Sequence, residues 1–229
     1  MRAFEAAVRL GVPFLETDVR VTSDGVLVAF HDARLDRVTD RRGVVSRLTW
    51  QQVRQARIGG VEPIPRLEDV LAAWPEVRVN VDLKSWGAVD PFVSAVRRTG
   101  ARERVVVASF GDRRRSAAVS RLGVDGAVAW SPGVATIVWA MTSSGWGCFE
   151  GRLAAGLRGA GCLQVPVSVG GVRVVTRRLV RAVHAAGAQV HVWTVDDRVV
   201  MEELMDLGVD AVVTNRSDLA LEVVARRTS

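Results

Sequence analysis

Lysine is almost absent from this sequence. Of 31 lysine and arginine residues only Lys84 is a lysine, so every other basic side chain is a guanidinium. Cysteine is nearly as scarce. Cys148 and Cys162 make neither a disulfide framework nor a metal-ligand spacing, a usage that suits a reducing cytoplasm. No apolar run approaches the ~20 residues needed to span a bilayer. No charged-then-apolar leader opens the chain either, which predicts neither a transmembrane segment nor a secretory signal. Aromatic residues, 6% of the chain, are not interleaved with the arginines as a single-strand stacking platform requires. The arginines are dispersed, as at Arg113 to Arg115, Arg177-Arg178 and Arg226-Arg227. The net charge of +6 and the pI near 10.9 therefore read as solvated helix faces, not as a nucleic-acid surface. Also missing are a G-x-S-x-G elbow, an H-E-x-x-H zinc motif and a G-x-x-x-x-G-K phosphate loop, which removes the easiest rival chemistries.

What is present fits one large α/β domain over residues 1–229: 48% hydrophobic, 24% charged, and too apolar for disorder. Apolar-periodic segments repeatedly end in glycine and are followed at once by a β-type run, as at Leu10-Gly11-Val12, Leu122-Gly123-Val124, Ala186-Gly187-Ala188 and Leu207-Gly208-Val209. Glycine in the left-handed C′ position, followed by a buried parallel strand, explains that punctuation. Strands are predicted near 14–19, 77–83, 104–109, 125–130, 162–166, 189–194 and 210–214. Helices are predicted near 2–10, 67–73, 90–99, 113–122, 133–141, 175–186, 197–207 and 217–226. The alternation predicts a (β/α)8 barrel lacking its first strand, with an open doubly wound sheet as the other architecture. Residues 33–65 break the rhythm and read as a small insertion, in which Arg34, Asp36 and Arg37 either meet substrate or pin the loop. The glycines and tryptophan of residues 143–151 read as a flexible loop over the active face, and Val134 to Met141 as a core-facing helix.

The densest chemistry lies between Glu16 and Asp32, in ETDVRVTSDGVLVAFHD. Glu16 and Asp18 are two apart on a strand, so both project from one face and both could grip one cation. A Ser-Asp-Gly turn at Ser23 to Gly25 and a second apolar run bring His31-Asp32 back toward them. In VNVDLK, residues 79–84, period-two alternation puts Asp82 and Lys84 on one face and aliphatics on the other. Oxygen-only ligands select Mg²⁺ or Ca²⁺. The expected metal ligands are Glu16, Asp18 and Asp82, and the expected catalytic groups are His31 and Lys84. His31 would exchange a proton with the leaving or attacking oxygen, and Lys84 would neutralise phosphoryl charge. Trp193 is expected either to contact substrate together with Lys84 or to pack in the core, His191 to be a hydrogen-bonded core histidine, and His184 to be exposed. Asp112, Asp125 and Asp210 read as loop and capping residues.

These pieces resemble the glycerophosphodiester phosphodiesterases. ETDV, SDG, FHD with LDRVTD and RRG, IPRLEDVL, VNVDLK, ASF at 108–110, VWTVDD at 193–197 and GVDAVVTNRSDLA occur in that family's order over nearly the whole chain. The resemblance implies a (β/α)8 barrel with a small insertion, a divalent cation, and two histidines as acid and base. It implies hydrolysis of a glycerophosphodiester to glycerol 3-phosphate and an alcohol, or, on the same fold, cleavage of the head group from a lysophospholipid. The family's His-Arg-Gly strand and Glu-Asn-Thr have no counterpart here, since Met1 already reads as part of the first helix, and Asp82 stands where the family has glutamate. Two functions follow: a metal-dependent phosphodiester hydrolase whose upstream residues restore those motifs, or an inactive barrel that binds a phospho-ligand or serves as an interaction module.

Overall fold

A strand that alternates apolar and polar residues organises the first half of the chain. In β1 (Phe14–Val21) Leu15 and Val19 are buried, while Glu16 and Asp18 face the other way. The computed structural model describes residues 1–123, 128–141 and 148–228, in two compact units, Met1–Val128 and Ala129–Ser229. In the first unit, α1 (Arg2–Arg9) precedes β1, and β2 (Leu27–Ala29) folds back antiparallel on it with Val19 opposite Ala29. The turn between them is tied by Asp24. Its carboxylate accepts from the Thr22 hydroxyl at 2.6 Å and from the Trp50 amide at 2.9 Å, and Gly25 supplies the positive φ of 83°. On the far side of β1, β5 (Arg78–Leu83) runs parallel in the register Glu16↔Asn80 and Asp18↔Asp82, and β6 (Val105–Ala108) runs parallel to β5.

This register is held from behind. Val79, Val81 and Leu83 of β5 are at most 1% exposed, and each such burial contributes roughly 1.5–3 kcal/mol. That offsets the cost of drawing Asp82, on the opposite face, out of water. The helices α3 (Leu67–Ala73), α4 (Val89–Arg98) and α5 (Asp112–Leu122) alternate with these strands.

The predicted insertion has its own small core. It contains α2 (Trp50–Val53) and the hairpin β3 (Arg57–Ile58) and β4 (Glu62–Pro63), packed through Leu35, Val45, Val53, Ala56 and Ile64 against Val28 and Phe30. Asp36 accepts from the Gly43 amide at 3.0 Å and from Arg34 at 3.0 Å, so this pair pins the loop.

The second unit holds β7 (Ala129–Trp130), α6 (Val134–Met141), α7 (Cys148–Leu157), β8 (Cys162–Pro166), the hairpin β9 (Ser168–Val169) and β10 (Val172–Arg173), α8 (Arg177–Ala185), β11 (Gln189–Trp193), α9 (Arg198–Leu207), β12 (Ala211–Val212) and α10 (Ser217–Thr228). Its three-stranded sheet is parallel, in the order β12-β11-β8.

The elements follow the expected alternation, with differences. Residues 148–157 form a helix, although their start had read as loop. Gly156 there lies so close to α6 that a Cβ would sit 2.7 Å from Thr136 Cγ2, so its glycine reports helix packing and not a turn. Gly11, Gly187 and Gly208 take the left-handed φ expected of C′ residues, whereas Gly123 stays at φ −83°. On α6, Ile137 packs on the core, but Val134 and Val138 are 44% and 50% exposed, so the helix is only partly core-facing. Asp125 and residues 143–147 lie outside the described residues, as does the start of the strand predicted at 125–130. Among the described residues no helix is long and apolar enough to cross a membrane.

Candidate active site

Because β1 and β5 are parallel with Asp18 opposite Asp82, the even-numbered residues Glu16, Asp18, Asp82 and Lys84 share one sheet face at the carboxyl ends of two neighbouring strands. Lys84 Nζ lies 2.6 Å from Asp18 Oδ1 and 2.7 Å from Asp82 Oδ2. It is also 5.1 Å from the centre of the Phe110 ring, which follows β6. Burial works against the Lys84 charge, but the bonds to the two aspartates outweigh it and hold the ammonium above the ordinary lysine range. Asp82 is pushed upward, by burial first and by Asp18, against the opposing pull of Lys84 and Arg114. Its second oxygen, Oδ1, is buried and has no hydrogen-bond partner.

Glu16 is the most perturbed of the acids. Its carboxyl is pushed up to about 8, first by desolvation, then by the negative charges of Asp18 and Asp82, with Lys84 opposing. The side chain nonetheless remains open to solvent. Water access therefore trims the desolvation part, and repulsion by the two aspartates is the firmer cause.

Glu16 and Asp18 share a cavity of about 310 Å³ with Phe30, His31, Asp32 and Arg37. His31 is 66% exposed at the side chain, and its Nδ1 lies 2.7 Å from Asp32 Oδ1. Asp32 in turn accepts from Arg37 Nε at 2.7 Å and Nη2 at 3.0 Å, and the guanidinium holds its carboxyl far below the usual range. From β1, Arg20 sends Nε and Nη2 to the His31 carbonyl oxygen at 3.0 and 2.9 Å. Burial lowers the Arg20 pKa, while Asp18, Asp32 and Asp82 pull it back up.

The first unit thus brings Glu16, Asp18, Asp82 and Lys84 together, and places His31 on the wall of the cavity that Glu16 and Asp18 line. Trp193 belongs to the second unit, half-buried at the end of β11. His191 is buried there and bonded to Gln189 Oε1 at 3.2 Å, as expected of a core histidine. His184 is exposed as expected and lies 2.8 Å from Asp210 Oδ2, which also accepts from the Val190 amide. Asp112 opens α5 and pairs with Arg115. Sequence reasoning missed Arg20, although it shares the strand parity of Glu16 and Asp18. It also missed Phe110 and Arg114, whose Nε donates to Ser109 Oγ at 2.8 Å, because neither follows a periodicity that points to the acids.

The donor set suits a divalent cation. It is all oxygen, one buried carboxylate oxygen has no partner, and a neighbouring carboxyl is held toward its neutral form by like charges. Among the described residues no three histidine, cysteine, aspartate or glutamate side chains are grouped so that they could hold a metal ion, and the Lys84 ammonium is what balances Asp18 and Asp82.

The model of the glycerophosphoryl diester phosphodiesterase family matches residues 1–132 and 148–219. "Probable glycerophosphodiester phosphodiesterase 2" of Mycobacterium tuberculosis is 42% identical over 229 residues, covering 99% of this chain and 85% of that protein. A solved structure from Silicibacter pomeroyi, assigned by name to the glycerophosphoryl diester phosphodiesterases, superposes with a TM-score of 0.83 at 20% identity, over 100% of this chain and 88% of its own. An Oleispira antarctica phosphodiesterase solved with the product sn-glycerol-3-phosphate superposes with a TM-score of 0.74 at 20% identity, covering 97% and 89%.

Proposed function

The chain belongs to the glycerophosphoryl diester phosphodiesterase family, and from that premise we propose that Glu16, Asp18, Asp82, Lys84 and His31 carry its reaction. The family's fold is the TIM-barrel-like α/β architecture expected from the sequence, and the protein is a phosphoric diester hydrolase acting on glycerophosphodiesters. We treat residues 1–229 as one barrel domain of this type. The observation that supports the assignment of residues is the pairing of Asp18 and Asp82 with the single lysine, on the sheet face that Glu16 shares and beside a cavity that His31 lines.

The family works with a divalent cation. We assign its ligands to Glu16, Asp18 and Asp82, and its identity to Mg²⁺ or Ca²⁺ on the hardness of three carboxylates. When bound, such a cation supplies positive charge to the phosphoryl oxygens and offsets the mutual repulsion of the three acids. Lys84 orders Asp18 and Asp82 and adds a second positive charge on the same face, where negative charge builds on the phosphoryl group. His31 exchanges a proton with the leaving alkoxide or the attacking hydroxyl, a contribution typically of about 10² to 10⁴ in rate. Arg37 of the insertion, paired with Asp32, lines the cavity. Contact between Trp193 and the glycerol or alcohol portion is a separate proposal, tested by Trp193→Ala as a rise in KM. A cytoplasmic location, supported by the scarcity of cysteine, is tested by fractionation.

Release of sn-glycerol 3-phosphate from glycerophosphodiesters, and of lysophosphatidic acid and the head-group alcohol from lysophospholipids, with Mg²⁺ or Ca²⁺ against EDTA, tests this reading. Metal-dependent turnover removed by His31→Ala supports it. Binding of phosphorylated ligands without any turnover supports the inactive-module reading.

A further inference from the structure

We propose that Arg37 is a positioning residue for His31: it clamps Asp32, and the Asp32 carboxylate holds the His31 Nδ1 proton, leaving Nε2 as the nitrogen that exchanges protons with substrate. The inference rests on the hydrolase reading above and adds to it a residue that acts from the insertion.

The geometry is a linear chain of charge-assisted bonds. Arg37 Nε and Nη2 reach the two oxygens of Asp32 at 2.7 and 3.0 Å, a fork-on-fork contact that fixes the plane of the carboxylate. Asp32 Oδ1 then lies 2.7 Å from His31 Nδ1. The exposures differ in a telling way. The side chains of His31 and Arg37 are 66% and 68% exposed, whereas that of Asp32 between them is only 16% exposed. A solvent-exposed imidazole has little packing to choose its rotamer, so its aim comes from what it bonds.

The tautomer follows from the same contacts. An ionised carboxylate is an acceptor only, and two guanidinium N–H groups keep Asp32 ionised, so Nδ1 must be the donor. In the neutral ring the lone pair is then on Nε2, where it accepts a proton from an attacking hydroxyl. In the imidazolium, the Nε2 proton goes to a leaving oxygen. The backbone is fixed as well, since Arg20 holds the His31 carbonyl from β1 with two N–H groups. Arg34 behaves differently. Its partner is Asp36, which accepts from the Gly43 amide, so this pair holds the loop without touching Asp32 or His31.

The test reads the tautomer directly, by two-dimensional ¹H–¹⁵N long-range correlation of the imidazoles in the full 229-residue chain. There are three histidines, and the unchanged signals of His184 and His191 certify folding of each variant. Wild-type His31 is expected as the Nδ1–H tautomer in its neutral form. Asp32→Ala and Arg37→Met are expected to shift it toward Nε2–H, Arg37→Lys to recover part of the wild-type pattern, and Arg34→Ala to change nothing. Kinetically, Asp32→Ala should lower kcat by about 10²-fold and Arg37→Met by about tenfold, with KM within about twofold. A wild-type Nε2–H tautomer, or a tautomer unmoved in both variants, overturns the proposal. So does an Arg37→Met variant with raised KM and unchanged kcat, which would make Arg37 a substrate ligand. If the wild type lacks turnover while the tautomers move as expected, positioning stands and the hydrolase reading falls.

Discussion

Replacing Lys84 by methionine probes the arrangement at its most exposed assumption, that one ammonium balances two half-sequestered aspartates. Lys84 Nζ is 2.6 Å from Asp18 and 2.7 Å from Asp82, and the three side chains are only 15%, 15% and 12% exposed. Each charge-assisted hydrogen bond is worth about 1.5–3 kcal/mol, and breaking a buried pair by deleting one partner costs about 3–5 kcal/mol. The residual exposure argues for the lower end, near 3 kcal/mol. With an m-value of roughly 2 kcal/mol per molar urea, Lys84→Met in EDTA at pH 7 should lower the urea midpoint by about 1.5 M. Mg²⁺ or Ca²⁺ should return much of that loss, because it replaces the missing positive charge. The pH dependence has a defined sign. The Lys84 pKa is raised in the fold, so its contribution is fully present below the ordinary lysine value of 10.5 and is lost as pH rises through the folded value. A midpoint shift below about 0.3 M in EDTA, or one that divalent cations enlarge, would show that the ammonium does not balance the two aspartates.

Three further outcomes are expected. Glu16, with its folded pKa raised to about 8 from an ordinary 4.5, holds a proton that the unfolded chain releases. In EDTA, stability should therefore fall as pH rises from about 4.5 to 8, and Glu16→Gln should flatten that slope in pH-resolved urea titrations; an unchanged slope contradicts the assignment. Gly156→Ala should lower Tm, because its Cβ would meet Thr136 Cγ2 at 2.7 Å. The same change in a Thr136→Ser background, where that methyl is gone, should be better tolerated by about 1–3 kcal/mol in a double-mutant cycle. Leu83→Ala should destabilise the fold by about 2–5 kcal/mol and loosen Asp82 and Lys84 on either side of it, lowering kcat together with the urea midpoint.

Much of this was legible in the residues because strands with one buried face have a strict period of two. Glu16 with Asp18, and Asp82 with Lys84, could be paired on a face before any coordinates. That Asp18 stands opposite Asp82 could not, since register between two strands depends on packing in three dimensions, here of Val19, Val81 and Leu83. The helix at 148–157 was hidden because Gly151 and Gly156 look like loop residues, while at Gly156 the absent side chain makes room for Thr136. Arg37 was visible as a charged loop residue, but its bond to Asp32 depends on how residues 33–65 fold over Val28 and Phe30. Arg20 shares the parity of Glu16 and Asp18, but in a chain this rich in arginine its residue type alone carries no signal.

Substoichiometric Mn²⁺, a cation that carboxylates also accept, asks whether the three acids hold a divalent ion beside His31. Mn²⁺ should broaden the His31 imidazole resonances, excess Mg²⁺ or Ca²⁺ should reverse the broadening, and Asp82→Asn should abolish it. Sharp His31 signals under conditions where Mn²⁺ is bound elsewhere on the protein would contradict it.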